Sequence, residues 1–180
     1  MCAIIRDLEN DLIKLNCKLK ISRFVPEGLK EIIEKNVPDD QYILGVNYKH
    51  GDSQICISGH IKRGETITGG CVREMSEEVF LKPKGEIFPI KQIGRNYFYA
   101  LNINDLFLSS SEDKKENEDT HKRAVVCIYG EEYNFFRYMK RLRIQNYVND
   151  FINGLWICEK SIILKAMNDL EKKEGPVFIG

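Results

Sequence analysis

Three glutamates close together, Glu74, Glu77 and Glu78, carry the strongest chemical signal in this chain. If Thr66 to Phe80 forms a helix, they fall at i, i+3 and i+4. That spacing puts three carboxylates on one face, about one turn deep. Three like charges so close repel, and an isolated helix would resist the arrangement. A divalent cation removes the conflict, because hard ions such as Mg²⁺ and Mn²⁺ take carboxylate, phosphate and water oxygens. The other face of the same helix carries Ile67, Cys71, Val72, Met75 and Val79, which is ordinary core spacing. An amphipathic surface helix with a solvated acidic face accounts for that apolar stripe. It does not account for the glycine, glutamate and arginine that stand before the acids at Gly59, Glu65 and Arg73.

The whole run from Gly59 to Leu81 reads G-H-I-K-R-G-E-T-I-T-G-G-C-V-R-E-M-S-E-E-V-F-L. It resembles the Nudix box, G-x5-E-x7-R-E-U-x-E-E-x-G-U with U aliphatic. Gly59, Glu65, Arg73, Glu74, Met75, Glu77, Glu78 and Leu81 match, and Phe80 stands where the family has its last glycine. That glycine ends the helix in a left-handed turn, which a phenylalanine enters only with strain. Gly69 and Gly70 are also unusual in a helix interior, at about 1 kcal/mol each relative to alanine, and point to close packing on a sheet.

The resemblance implies a metal-dependent hydrolase of a diphosphate linked to some further group, usually a nucleoside. It implies Mg²⁺ or Mn²⁺ held by Glu74, Glu77, Glu78 and the Gly59 carbonyl, with Glu74 or Glu78 orienting or deprotonating the attacking water. It assigns Arg73 to a salt bridge with Glu65 that fixes the loop against the helix, and the helical angle turns Arg73 away from the metal face. Many members recruit a further acid beyond the box. Glu112, Glu116, Glu118, Glu131 and Glu132 are the candidates here, and Glu131 and Glu132 are better placed because they follow a strand directly. Lys62 and Arg63, in the loop before the helix, are candidates for phosphate contacts.

Two features lean toward the 5′ cap of mRNA as substrate. The loop G-H-I-K-R-G-E is similar to the G-K-I-x-K-x-E loop of mRNA-decapping Nudix enzymes. The segment 137–143 carries Arg137, Lys140, Arg141 and Arg143 next to Phe136 and Tyr138, a path for an RNA backbone with stacking partners. Free nucleoside di- and triphosphates or nucleotide sugars are the alternative. A non-catalytic Nudix-fold binding module is a third reading, although such modules typically lose box glutamates and this chain keeps them all.

The elements around the box are those of an α/β protein, and the resemblance implies an α/β/α sandwich with a mixed sheet. A helical rhythm runs through Ile4, Ile5, Leu8, Leu12, Leu15 and Leu19, and a second short helix starts at Pro26. Residues 1–40 therefore read as an N-terminal helical extension packed on a core formed by 41–180. Strands are expected at Tyr42–Tyr48, Gln54–Ser58, Glu86–Ile93, Asn96–Ile103 and Ala124–Tyr129, with Gly94-Arg95 as a hairpin turn. Ser109–Lys122 is polar throughout and reads as a mobile loop. A helix follows from Glu131 to Phe151, then a short strand at Leu155–Cys158 and a last helix from Ser161, capped by that serine.

A chain of 180 residues with 43% hydrophobic residues is long enough for one well-buried domain. Its formal net charge of zero gives no global case for nucleic-acid binding, so any such case rests on a local patch. None of the six cysteines forms a C-x-x-C pair, which argues against a zinc site and for buried free thiols. No run is apolar enough to span a membrane and the N-terminus has no signal-peptide pattern, so the expected compartment is cytoplasmic, with the nucleus open.

Overall fold

A computed structural model of the chain describes residues 25–47, 53–109, 119–144 and 155–172. The helical rhythm at 4–20, the last residue of the strand expected at Tyr42–Tyr48, the interior of the polar segment at 110–118 and the continuation of the long helix to Phe151 lie outside the described residues.

A run of small and β-branched residues, Ala124 to Ile128, makes the centre of the sheet. All five are fully buried. They lie in β8 (Asp119–Gly130), which pairs in parallel with β6 (Asn96–Asn102) along one edge. Its other edge is shared by two antiparallel neighbours, β3 (Ile57–Lys62) and the start of β1 (Tyr42–Asn47). Beyond β1 come β2 (Ser53–Gln54) and β9 (Leu155–Glu159), and beyond β6 comes β5 (Lys91–Ile93). The seven-stranded sheet is thus mixed.

Because side chains alternate along a strand, β8 feeds two cores. Ala124, Val126 and Ile128 point into one, with helix α2 (Ile67–Val79) and helix α3 (Glu132–Ile144). Val125 and Cys127 point into the other, with helix α1 (Leu29–Asn36) and helix α4 (Lys160–Glu171). Four α-helices are found among the described residues, two on each face of the sheet. The chain is of mixed α/β class. No helix among those residues is long and apolar enough to cross a membrane.

Several expected elements shift. The strand expected at Gln54–Ser58 splits into β2 and β3, and β3 runs on through Gly59 to Lys62. Glycine and histidine in mid-strand hide it from propensity, but register with β8 holds it, Gly59 opposite Ala124. Only Lys91–Ile93 of Glu86–Ile93 is a strand, and Gly94 turns the hairpin at φ 59°. The ends of the polar segment are built in: Ser109 is buried, and β8 starts at Asp119. A two-stranded sheet, β4 (Leu81–Pro83) with β7 (Leu106–Leu108), was not expected. Helix α4 begins one residue early at Lys160, and Glu159, not Ser161, occupies the cap position. The buried Lys160 ammonium donates to the Val37 carbonyl and to Asp39, tying α4 to the end of α1.

Cys56, Cys71, Cys127 and Cys158 are free and buried, as their apolar surroundings implied, while Cys2 and Cys17 lie outside the described residues. Burial pushes the thiols of Cys127 and Cys158 up to about 12, so neither is a nucleophile near neutral pH.

Candidate functional site

Strand β3 and helix α2 are joined by a turn at residues 63–66, and this strand–turn–helix unit carries the acidic residues. Thr66 caps the helix: its Oγ1 accepts from the Gly69 N–H at 2.9 Å. Cys71, Met75 and Val79 anchor α2 in the core. Gly70 is buried where a Cβ would meet Ile61 at 2.5 Å, so it allows the close packing expected of it, whereas Gly69 is exposed.

The helix ends as the family glycine would end it. Phe80 adopts the left-handed conformation, φ 57° and ψ 32°, and its N–H reaches the Ser76 carbonyl. Its own carbonyl accepts from the Ser109 N–H at 2.7 Å, and its ring packs on the core. Packing and that hydrogen bond offset a strain of roughly 1–3 kcal/mol.

Arg73 is the hub of the site, and its guanidinium uses all five of its N–H donors. Nε donates to Glu65 Oε1 at 2.6 Å, and Nη2 to Glu65 Oε2 at 3.2 Å and to the His60 carbonyl at 2.8 Å. Nη1 donates to Glu74 Oε1 at 2.7 Å and to Glu77 Oε2 at 3.2 Å. The pairing with Glu65 is the expected one. The expectation that Arg73 turns away from the acidic face is corrected: Arg73 stands four residues before Glu77, on the same side of the helix, and its fork lies across Glu74 and Glu77. The Lys62 N–H adds a bond to Glu65 Oε2 at 2.9 Å, closing the turn on the helix.

The charges respond to this. Burial pushes the Glu65 carboxyl up, but its bonds from Arg73 and the Lys62 N–H outweigh that and hold it below its ordinary value. Burial raises the Glu74 carboxyl, with Glu77 and Glu65 adding to the rise and Arg73 opposing it. Burial alone would lower Arg73, yet Glu65 and Glu74 hold it firmly protonated.

Glu74 lies against β3. A Cβ built on Gly59 would fall 1.9 Å from the Glu74 carboxyl carbon. Gly59→Ala is therefore expected to expel this carboxyl and cost about 1–3 kcal/mol, the scale of overpacking. In a Glu74→Ala background the same change should cost little, so a double-mutant cycle by chemical denaturation checks the contact. Additive costs would show that Glu74 is not what Gly59 accommodates.

The remaining candidates separate into two groups. Glu78 is half-buried on the acidic face. Burial, the neighbouring Cys127 and the Glu78 carboxylate push the Cys56 thiol up. Lys62 is buried and its charge helps to lower Glu65, while Arg63 is exposed in the turn. Glu131 and Glu132 are not brought beside Gly59. Gly59 faces Ala124, whereas these glutamates follow Gly130 at the far end of β8, on the order of 20 Å along a regular strand. Glu132 instead lies near Tyr42, whose hydroxyl is pushed up first by burial and then by the Glu132 and Glu159 charges. Glu112, Glu116 and Glu118 lie outside the described residues.

On α3, Arg137 and Arg141 are exposed and Lys140 half-buried, with the Arg143 side chain outside the described residues. Phe136 and Tyr138 are half-buried rather than exposed. Both pack on the core, and the Tyr138 hydroxyl donates to the Leu106 carbonyl at 2.5 Å. The exposed aromatic of this helix is Tyr133, 71% accessible. Sequence reasoning also missed the His60 carbonyl, since a backbone acceptor has no signature in residue types.

The donor set suits a hard divalent cation. It is all oxygen, and Glu77 Oε1 is buried with no hydrogen-bond partner. As the side chains stand, no three His, Cys, Asp or Glu among the described residues form a group that could hold an ion. Arg73 already takes one oxygen from each of Glu74 and Glu77. Compared with known proteins, the chain matches no family model, no curated protein and no solved structure.

Proposed function

We propose that the chain is a Nudix-type hydrolase that cleaves a diphosphate linkage in a nucleotidic substrate. The observation that carries this reading is the Arg73 hub: Glu65 and Glu74 are held by one guanidinium above Gly59, at the offsets of the Nudix box. A mixed sheet with helices on both faces is compatible with the Nudix sandwich. Glu74, Glu77 and Glu78 would hold Mg²⁺ or Mn²⁺, with the Gly59 carbonyl as a further oxygen. The ion supplies charge neutralisation of the diphosphate and activation of water. Glu74 suits the role of base, because a carboxyl raised by burial takes a proton more readily. Water then attacks one phosphorus, the bridging P–O bond breaks, and the leaving phosphate carries away the bond's electron pair. Arg73 and Glu65 hold the turn so that Glu74 keeps its aim. Glu132, two residues past the Gly130 that pairs with Tyr42, has no part in this scheme.

Capped RNA is the substrate class that α3 favours, with Tyr133, Arg137 and Arg141 exposed at i, i+4 and i+8. Free nucleotides and nucleotide sugars are the alternative. The test is hydrolysis of 5′-capped RNA and of a panel of nucleoside diphosphate derivatives with Mg²⁺ or Mn²⁺. Changing Arg137, Lys140, Arg141 and Arg143 together to glutamine should weaken capped-RNA binding, flatten its salt dependence and spare small nucleotides. Equal loss on both would return α3 to a purely structural role. No metal-dependent turnover on any substrate would leave the non-catalytic binding module as the better reading.

A further inference from the structure

The guanidinium of Arg73 has two ends with different partners. The Nε and Nη2 end meets Glu65 and the His60 carbonyl, and fastens the turn to the helix. The Nη1 end meets only Glu74 and Glu77, both assigned above to the ion. Their side chains are 13% and 22% exposed, so two carboxylates stand close together in a poorly solvated place. Some positive charge must lie beside them if the fold is to persist without a metal. We propose that Arg73 Nη1 is the resident cation of the metal-free site and competes with the divalent ion for Glu74 and Glu77.

This rests on the metal reading of the same site. The bond to Glu77 is the weaker of the two, at 3.2 Å against 2.7 Å for Glu74, and the other Glu77 oxygen has no partner. Glu77 is thus where an ion enters at least cost. Loading exchanges the Nη1 bonds for bonds to the ion, while the Nε and Nη2 end keeps its grip on Glu65. Arg73 thereby positions Glu74 from one end of its fork and limits metal affinity from the other.

The test is a calorimetric titration of Mn²⁺ into the wild type and Arg73→Lys. Lysine keeps the charge but has three donors on one nitrogen in place of five along a fork, so at least two of the five bonds are lost, and the long one to Glu77 is the first expected to go. Its Mn²⁺ affinity should rise by about tenfold, the scale of one charge-assisted hydrogen bond. Unchanged or weaker binding by this variant would overturn the competition and leave Arg73 as a strut only. Should the variant fail to fold, Mg²⁺ titration of the wild type followed by arginine side-chain NMR decides instead. The Arg73 Nη1 protons should lose protection while the Nε resonance stays in place. A fork unmoved at saturating Mg²⁺ would equally overturn the proposal. Absence of any Mn²⁺ binding by the folded wild type would sink the metal reading itself, and the competition with it.

Discussion

Glu77→Gln is expected to fold normally and to lose metal-dependent hydrolysis by roughly 10³-fold, the scale of removing one preorganised charge-stabilising group. The amide keeps the volume of the carboxyl and can still accept from Arg73 Nη1. It removes one of the like charges crowded on α2, and the buried Oε1 has no hydrogen bond to lose. The melting temperature should therefore stay within a few degrees of wild type. Mn²⁺ binding by calorimetry should weaken in step with turnover, because a neutral amide is a poor ligand for a hard cation. Full turnover would show that Glu77 holds no metal, whatever substrate is used. A large drop in melting temperature would give it a structural role instead.

The core of this site was legible because its information lies in residue types at fixed offsets. The carboxylate stripe and the apolar stripe of Cys71, Met75 and Val79 follow from helical geometry, while the Glu65–Arg73 pair was implied by the resemblance, since Glu65 lies in the turn before the helix. What escaped depended on backbone groups or tertiary support, apart from Arg73, which a helical wheel already puts at i, i+4 from Glu77, beside the acidic face and not turned away from it. The His60 carbonyl takes part through a backbone atom. Phe80 breaks a glycine rule because its ring finds the core and its carbonyl finds Ser109. L-K-P and L-F-L are too short to show a period of two, so β4 and β7 are visible only once folded. The reach of β3 to Lys62 was set by the register with β8, not by the propensities of Gly59 and His60.

Arg73→Ala should be the most damaging single change in the site, because it strands several carboxylates at once. The Arg73 side chain is 10% exposed, Glu74 13% and Glu65 24%. Removing one partner of a buried ion pair costs about 3–5 kcal/mol, and the partial exposure of Glu65 discounts that to about 2–4 kcal/mol. For a chain of this size, such a loss lowers the melting temperature by about 5–15 °C. The pH dependence gives the mechanism away. With Arg73 present, Glu65 lies below its ordinary value of 4.5, so its stabilising contribution is present above that pH and is lost as pH falls through the lower folded value. Glu74 is raised and has the opposite sign, opposing folding once the unfolded chain ionises. Without Arg73 both carboxyls rise relative to the wild type. The stability deficit should be greatest near neutral pH and shrink as pH drops below about 4.5, where protonation removes the stranded charges. Urea denaturation of wild type and variant from pH 7 to pH 4 measures this directly. A deficit that did not shrink on acidification would mean that the guanidinium acts through packing of its stem. An unchanged stability at pH 7 would mean that water already serves these carboxylates as well as Arg73 does.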